Sequence, residues 1–392
     1  MTTMTTNRKT LMIPGPIECE TNVLQAMGEP PKSHTAPDFI KAFGNCLNMM
    51  KEIWMCPSGQ PFLVAGTGTL AMEMAAANLI EEGDRALVIS TGYFGKRYAD
   101  ILERHGAQVT ILEAPLGDTV KTSDIDAVLQ QNNYKLMTFT HVDTSTAVMV
   151  DPASMGELGR KHNVLTVLDG VCSVAGEEIR QEEWGIDIVL TASQKAIGVP
   201  PGLALLVASP KAMEAWELRK TQVRSYYADW SNWLPIMEAY TAGKPAYFGT
   251  PAVSLVMALE AGLKNILEEG LEERFDRHKK TGKAFREAMK ALGLTLIPKN
   301  ESVAANTLSA PYLPEDVMLP DFMQAMGDAE VIIAGGLLPD IKSLYFRVGH
   351  MGSVAHTDLM NTVRGIARAL NQCAHKANED DGVLAIENIM TR

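Results

Sequence analysis

Lys195 stands in Thr191-Ala-Ser-Gln-Lys-Ala-Ile-Gly-Val-Pro-Pro-Gly202, a segment of small residues that follows a strand-like run. Open α/β sheets place ligands at the carboxyl ends of their strands, and lysine is the side chain whose amine condenses with aldehydes. Apolar or cationic surroundings would lower its pKa and leave the amine free. Taken alone, the Ser-Gln-Lys tripeptide also fits a solvated loop lysine. Asp169 lies 26 residues earlier and ends the apolar run Val164-Leu-Thr-Val-Leu168. An acid ending a buried strand needs a cationic or hydrogen-bonding partner. The protonated ring nitrogen of pyridoxal phosphate (PLP) is such a partner, and the pairing makes the ring an electron sink. The alternative for Asp169 is a turn or helix cap, common after strands.

Gly66-Thr67-Gly68-Thr69 is a glycine-rich turn opening into a helix. Backbone N–H groups and the positive end of a helix suit an anion such as phosphate there, with two hydroxyls as extra donors. The turn is neither a P-loop nor G-x-G-x-x-G, and a capped structural helix fits it equally. Tyr93 and Phe94, set between Gly92 and Gly95, could offer a ring face to a flat cofactor; ordinary core packing is the alternative. The hydroxyls of Thr144, Ser145 and Thr146 could bond a ring hydroxyl or a substrate, or simply close a turn. Arg347 suits bidentate binding of an α-carboxylate; a surface ion pair is the usual fate of an isolated arginine. His141 reads as a structural histidine, since no second ligand lies at metal spacing, and no metal site is expected.

These residues need a sheet to hold them. Arg85–Ser90, Gln108–Leu112, Leu136–Thr140, Val164–Asp169, Ile186–Thr191 and Leu203–Ala208 read as strands. Helical stretches at Gly68–Leu79, Arg97–His105 and Ser123–Gln131 lie between several of them. The rhythm predicts an α/β fold, a mainly parallel or mixed sheet with helices on both faces. Trp216–Tyr247 reads as irregular surface or interface structure. One long helix is expected from Ser254 to about Leu292, its polar part Glu268–Lys283 an exposed connector. Short strands at Leu294–Ile297, Val331–Ile333 and Ser343–Arg347 and a helix from Thr357 read as a small α+β domain.

The chain has 392 residues, 46% hydrophobic and 21% charged, which fits a soluble globular protein of two domains. Its net charge of −12 argues against a nucleic-acid partner, and no apolar run is long enough to span a membrane. Five scattered cysteines without CxxC spacing indicate neither disulfides nor zinc. The N-terminus lacks an apolar signal core and the C-terminus lacks a Ser-Lys-Leu tail. A cytoplasmic location is expected, with mitochondrial and peroxisomal locations open.

The set Gly66-Thr-Gly68-Thr, Gly92-Tyr-Phe94-Gly95, Thr140-His-Val-Asp-Thr144-Ser-Thr146, Asp169-Gly-Val-Cys-Ser173, Trp184-Gly-Ile-Asp187 and Ser193-Gln-Lys195-Ala resembles the class V aminotransferases of PLP fold type I. The likeness runs from Pro14-Gly15-Pro16 to Gly349-His350-Met-Gly352 and is nearest to the alanine–glyoxylate and serine–glyoxylate branches. His141–Ala147 and Thr191–Gly198 look most like the fungal type. The resemblance implies a large domain with a seven-stranded, mainly parallel sheet over 21–260, a small C-terminal α+β domain over 261–392, and an N-terminal arm, 1–20, reaching a partner subunit.

It also implies roles. Lys195 would hold PLP as a Schiff base and shuttle the proton; Asp169 would bind the ring nitrogen, with Val171 and Phe94 on the ring faces. Thr67, Gly68, Thr69 and Gln194 would hold the phosphate, and Thr144 would sit near the ring hydroxyl. Tyr247 and Thr250 match a pair that reaches the phosphate of the neighbouring subunit, so a homodimer with shared sites is implied. Arg347 would clamp the substrate carboxylate, with Gly15 and His34 also at the substrate. His34 and Thr35 depart from the aromatic or arginine that some relatives carry there. The implied reaction is ping-pong transamination of alanine with glyoxylate, giving pyruvate and glycine. Serine–glyoxylate or serine–pyruvate transamination or a PLP lyase are alternatives within the same chemistry. A cysteine desulfurase lacks its cysteine loop here. A nucleotide-binding oxidoreductase lacks its ribose-binding acid. A non-catalytic binding protein is the remaining alternative.

Overall fold

A computed structural model of the chain describes residues 9–391. Its centre is a seven-stranded sheet. The strands are β1 (Gln60–Ala65), β2 (Arg85–Ser90), β3 (Gln108–Glu113), β4 (Leu136–Thr140), β5 (Leu165–Asp169), β6 (Ile188–Ala192) and β7 (Leu203–Ala208). Their order across the sheet is β1-β7-β6-β5-β4-β2-β3, and only β7 runs against the rest. β4, β5 and β6 are buried along their whole length, as strands covered on both faces must be. The parallel direction has one consequence for chemistry: β1, β2, β4, β5 and β6 all end at the same edge. The segments carrying Thr67, Phe94, Thr144, Asp169 and Lys195 leave the sheet there.

Two helices start at that edge, α1 (Gly68–Leu79) and α2 (Tyr93–Arg104). α1 has the expected bounds. α2 begins four residues earlier than its hydrophobic periodicity suggested, because the glycine-bounded aromatics form its first turn rather than a loop.

The apolar core divides into two main clusters. The larger surrounds the sheet and reaches Ile266; the smaller joins Ala284, Phe285, Phe322, Phe346 and Ile366. The expected single helix from Ser254 is two, α3 (Val253–Glu269) and α4 (Leu271–Ala291), broken at Gly270 with φ +88°. The polar start of α4 is not an exposed connector: Arg274, Phe275, His278, Thr281 and Gly282 are buried. Its charges misled because the buried arginine and histidine satisfy backbone groups instead of facing water. Trp216–Tyr247 likewise contains a helix, Trp230–Thr241, whose internal Pro235 hides it from propensity.

Leu294–Ile297 makes only an isolated bridge, Leu296 to Pro311. Val331–Ile332 pairs in parallel with Thr10–Leu11, and Phe346–Gly349 lies between Leu308–Ser309 and Ala334–Gly335. Helices His356–Gln372 and Glu379–Met390 close this region. The part of the expected N-terminal arm before Lys9 lies outside the described residues; Thr10–Leu11 packs on its own chain. No described helix is long and apolar enough to cross a membrane.

Candidate active site

A cavity of about 190 Å³ opens at the carboxyl edge of the sheet. Nine of the residues singled out from the sequence line it: Thr67, Gly68, Thr69, Phe94, Thr144, Asp169, Val171, Gln194 and Lys195. Asp169 and Lys195 arrive together because β5 and β6 are parallel neighbours. Asp169 ends β5, and Lys195 lies three residues beyond the end of β6.

Asp169 is 2% exposed. Its Oδ1 accepts the Val171 N–H at 3.1 Å, so the turn reading holds for that oxygen. Its Oδ2 has only the Thr140 hydroxyl, at 3.4 Å. Burial, reinforced by the nearby Asp143 carboxylate, pushes the carboxyl up to about 6, against the pull of those hydrogen bonds and of Lys195. A carboxylate so poorly compensated fits a cationic donor placed in the cavity. Among the described residues, the buried Gln194 Oε1 also has no hydrogen-bond partner.

Lys195 is not a solvated loop lysine. Burial lowers its pKa, and Arg347 acts in the same direction, against Cys172 and Asp169. Its Nζ donates to the Pro14 carbonyl. Gly15, at φ +115°, lies on the lysine stem: a Cβ there would stand 2.5 Å from Lys195 Cδ. Glycine is required at this position both for its backbone angle and for that approach.

At the anion turn, Thr67 is the N-cap of α1 yet makes no side-chain cap hydrogen bond, which leaves its hydroxyl for something else. Gly68 lets the helix start close to the cavity: a Cβ would stand 2.6 Å from Val171 Cγ2. These groups fit the phosphate of PLP, with Asp169 for its ring nitrogen and Lys195 for its aldehyde. Phe94 is half-exposed and forms a wall. It is held by Asp143, whose Oδ2 accepts the Phe94 N–H at 3.0 Å and whose Oδ1 accepts the Ser145 N–H at 2.9 Å. Sequence reasoning passed over Asp143 as a site residue. Its signal was its place immediately before the Thr-Ser-Thr hydroxyls.

Arg347 is outside the cavity lining but beside it. Its Nη1 donates to the Thr144 carbonyl at 3.2 Å and its Nε to the Gly335 carbonyl at 2.9 Å. Among the described residues it has no ion-pair partner, so the surface ion-pair reading falls. Burial lowers its pKa, though guanidinium stays charged at any physiological pH. A half-buried cation without an anion, electrostatically coupled to Lys195, suits a carboxylate ligand.

Three expected residues are elsewhere. Tyr247 is 65% exposed, Thr250 is exposed, and His34 packs on Tyr247 with ring centroids 5.5 Å apart. None of them lines the cavity of their own chain. His141 is buried and pushed down to about 4 by desolvation, hence neutral at pH 7. Among the described residues no cluster of His, Cys, Asp or Glu could hold a metal ion.

A buried acid and a buried lysine at adjacent strand ends, facing a glycine-rich helix start on this sheet, fit a PLP-dependent enzyme of fold type I. The chain belongs to the class V aminotransferases: the family model "Aminotransferase class-V" matches residues 26–338. It is 39% identical over 365 residues to alanine–glyoxylate aminotransferase 1 of Saccharomyces cerevisiae, covering 90% of this chain and 94% of that one. It is 31% identical to serine–glyoxylate aminotransferase of Arabidopsis thaliana, covering 96% and 94%. Among solved structures, alanine–glyoxylate aminotransferase from Nostoc sp. superposes with a TM-score of 0.88 at 28% identity, covering 94% and 97%.

Proposed function

We propose that this aminotransferase moves the amino group of an amino acid, alanine foremost, to glyoxylate, with pyruvate and glycine as products. The carrying observation is the convergence of three groups. They are an amine of lowered pKa on Lys195, an underbonded buried carboxylate on Asp169, and an arginine, Arg347, without an anion. The names of the yeast and Nostoc relatives support alanine and glyoxylate. The Arabidopsis relative's name supports serine as the second donor to test.

When bound, PLP supplies an aldehyde for the amine and a protonated ring that accepts the electron pair left at Cα. The chain's own residues do the rest. Arg347 fixes the substrate carboxylate and so aims its Cα–H bond. Lys195 Nζ takes the α-proton, and burial, which lowers its pKa, favours the free amine that this needs. Asp169 would keep a proton on the ring nitrogen, and Thr67, Gly68, Thr69 and Gln194 would hold the phosphate. Phe94 and Val171 would bound the ring and Thr144 would serve its hydroxyl, while Gly15 packs on the lysine stem.

The exposure of Tyr247 and Thr250 supports a homodimer in which this pair completes the partner's site, with His34 carried on the same patch. The two core clusters support a division into large and small domains, and because α3 packs on the large one the break falls near Gly270 rather than at residue 260.

The test adds amino acids singly to the PLP-loaded protein and follows conversion to the pyridoxamine form. Alanine should convert it fastest, and glyoxylate should reverse the change. Conversion by neither alanine nor serine would overturn the donor assignment. Lys195→Ala should lose both turnover and borohydride trapping, and survival of both would overturn the site.

A further inference from the structure

Arg97 has no role in the reading so far, yet it stands at the cofactor cavity. It lies in the first turns of α2, three and four residues after Phe94 and Tyr93, on the face they share. Its guanidinium carbon is 4.9 Å from the Phe94 ring centroid and 5.1 Å from that of Tyr93. Its Nη1 donates to Thr69 Oγ1 at 3.4 Å. Among the described residues it has no carboxylate partner, whereas the adjacent Lys96 is paired with Glu113 at 2.5 Å. Among the described residues, two cationic side chains line the cavity, Lys195 and Arg97. Lys195 is committed to the aldehyde, so its amine is not free to serve as the charge partner of a phosphate.

A phosphate monoester brings close to two negative charges into a partly desolvated pocket. The donors assigned to it within this chain are Thr67, Gly68, Thr69 and Gln194, all neutral. Neutral donors and one helix dipole leave most of that charge uncompensated. We propose that Arg97 is the charge partner of the cofactor phosphate, acting beside Thr69. The two aromatic rings pre-position its guanidinium, so little side-chain freedom is lost when the phosphate arrives. The same contact makes Phe94, the ring wall, and Thr69, the phosphate turn, parts of one unit.

The proposal rests on the PLP reading of the cavity, and the experiment separates the two. Equilibrium affinities of the cofactor-free protein for pyridoxal phosphate and for pyridoxal, which lacks the phosphate, are measured by absorbance for wild type, Arg97→Met and Arg97→Lys. Arg97→Met should bind pyridoxal phosphate about 10- to 100-fold more weakly while its affinity for pyridoxal stays within about twofold, a charged hydrogen bond being lost. Arg97→Lys should recover part of the loss, and the wild-type advantage should shrink with added salt. Equal weakening toward both ligands would show that Arg97 only braces Phe94, and no weakening would show that it is idle; either overturns the proposal. Failure of wild type to form a borohydride-trappable adduct with pyridoxal phosphate would overturn the cavity reading itself.

Discussion

Replacing Asp169 with asparagine should stabilise the cofactor-free protein while disabling the loaded one. Desolvation raises this carboxyl from 3.8 to about 6. That is about two pKa units, or about 3 kcal/mol against the ionised form. Because the folded-state pKa exceeds the unfolded one, the folded chain binds more protons between those values. Stability is therefore lost as pH rises through the window, and the full penalty persists above pH 6. Asparagine has no charge to bury; its side-chain oxygen can still accept from Val171 N–H, while its amide N–H donates to the Thr140 hydroxyl oxygen. The stability gap between Asp169→Asn and wild type, both without cofactor, should widen in favour of the variant by about 2 kcal/mol between pH 4.5 and 7.5. Denaturant midpoints at the two pH values, at unchanged slope, read this directly. With cofactor bound, the ring nitrogen loses its counter-charge and turnover should fall by at least about a hundredfold. A gap that stays constant or narrows with pH would refute the claim that Asp169 is held at a cost for a cationic ligand.

Arg347→Met should lower kcat/KM for amino acids by about 10²–10³-fold with the cofactor absorbance unchanged, and Arg347→Lys should recover only part, since the planar fork is lost. Gly15→Ala should cut turnover at least about tenfold, because its Cβ would meet Lys195 Cδ at 2.5 Å at a φ of +115°; urea denaturation should show an accompanying loss of about 1–3 kcal/mol. A chain carrying both Tyr247→Phe and Thr250→Ala, co-refolded with the Lys195→Ala chain, should regain activity above either parent. One site of the mixed dimer then has an intact lysine and an intact pair from opposite subunits. Additive behaviour would refute the shared site.

The catalytic edge of the sheet was legible because its signals are local. Apolar runs of five or six residues ending in Asp169, Thr140 or just before Lys195 mark both the strands and the direction in which they point. What failed was the reading of polarity as exposure. α4 carries Arg274 and His278 inside because Arg274 donates to the Ala175 and Ala196 carbonyls at 2.7 Å, while His278 accepts the Gly352 N–H at 3.0 Å. Those partners are far away in sequence, so no periodicity announces them. Arg97 and Asp143 were missed for a related reason. Their neighbours, Phe94 and Thr144, carried the recognisable pattern, and only the fold shows which side chain braces which.

Gly15 has a structural reason that its sequence context does not show. Resemblance placed it at the substrate; the structure places it first on the lysine, with Pro14 accepting from Nζ. The segment around it is pinned on both sides. Gly349 N–H donates to the Met12 carbonyl at 2.8 Å, and Ile17 N–H to the Gln194 carbonyl at 3.2 Å. Gly349 ends the strand that carries Arg347, and Gln194 adjoins Lys195. One bent stretch, Met12 to Ile17, therefore ties the strand that carries Arg347 to the segment that carries Lys195.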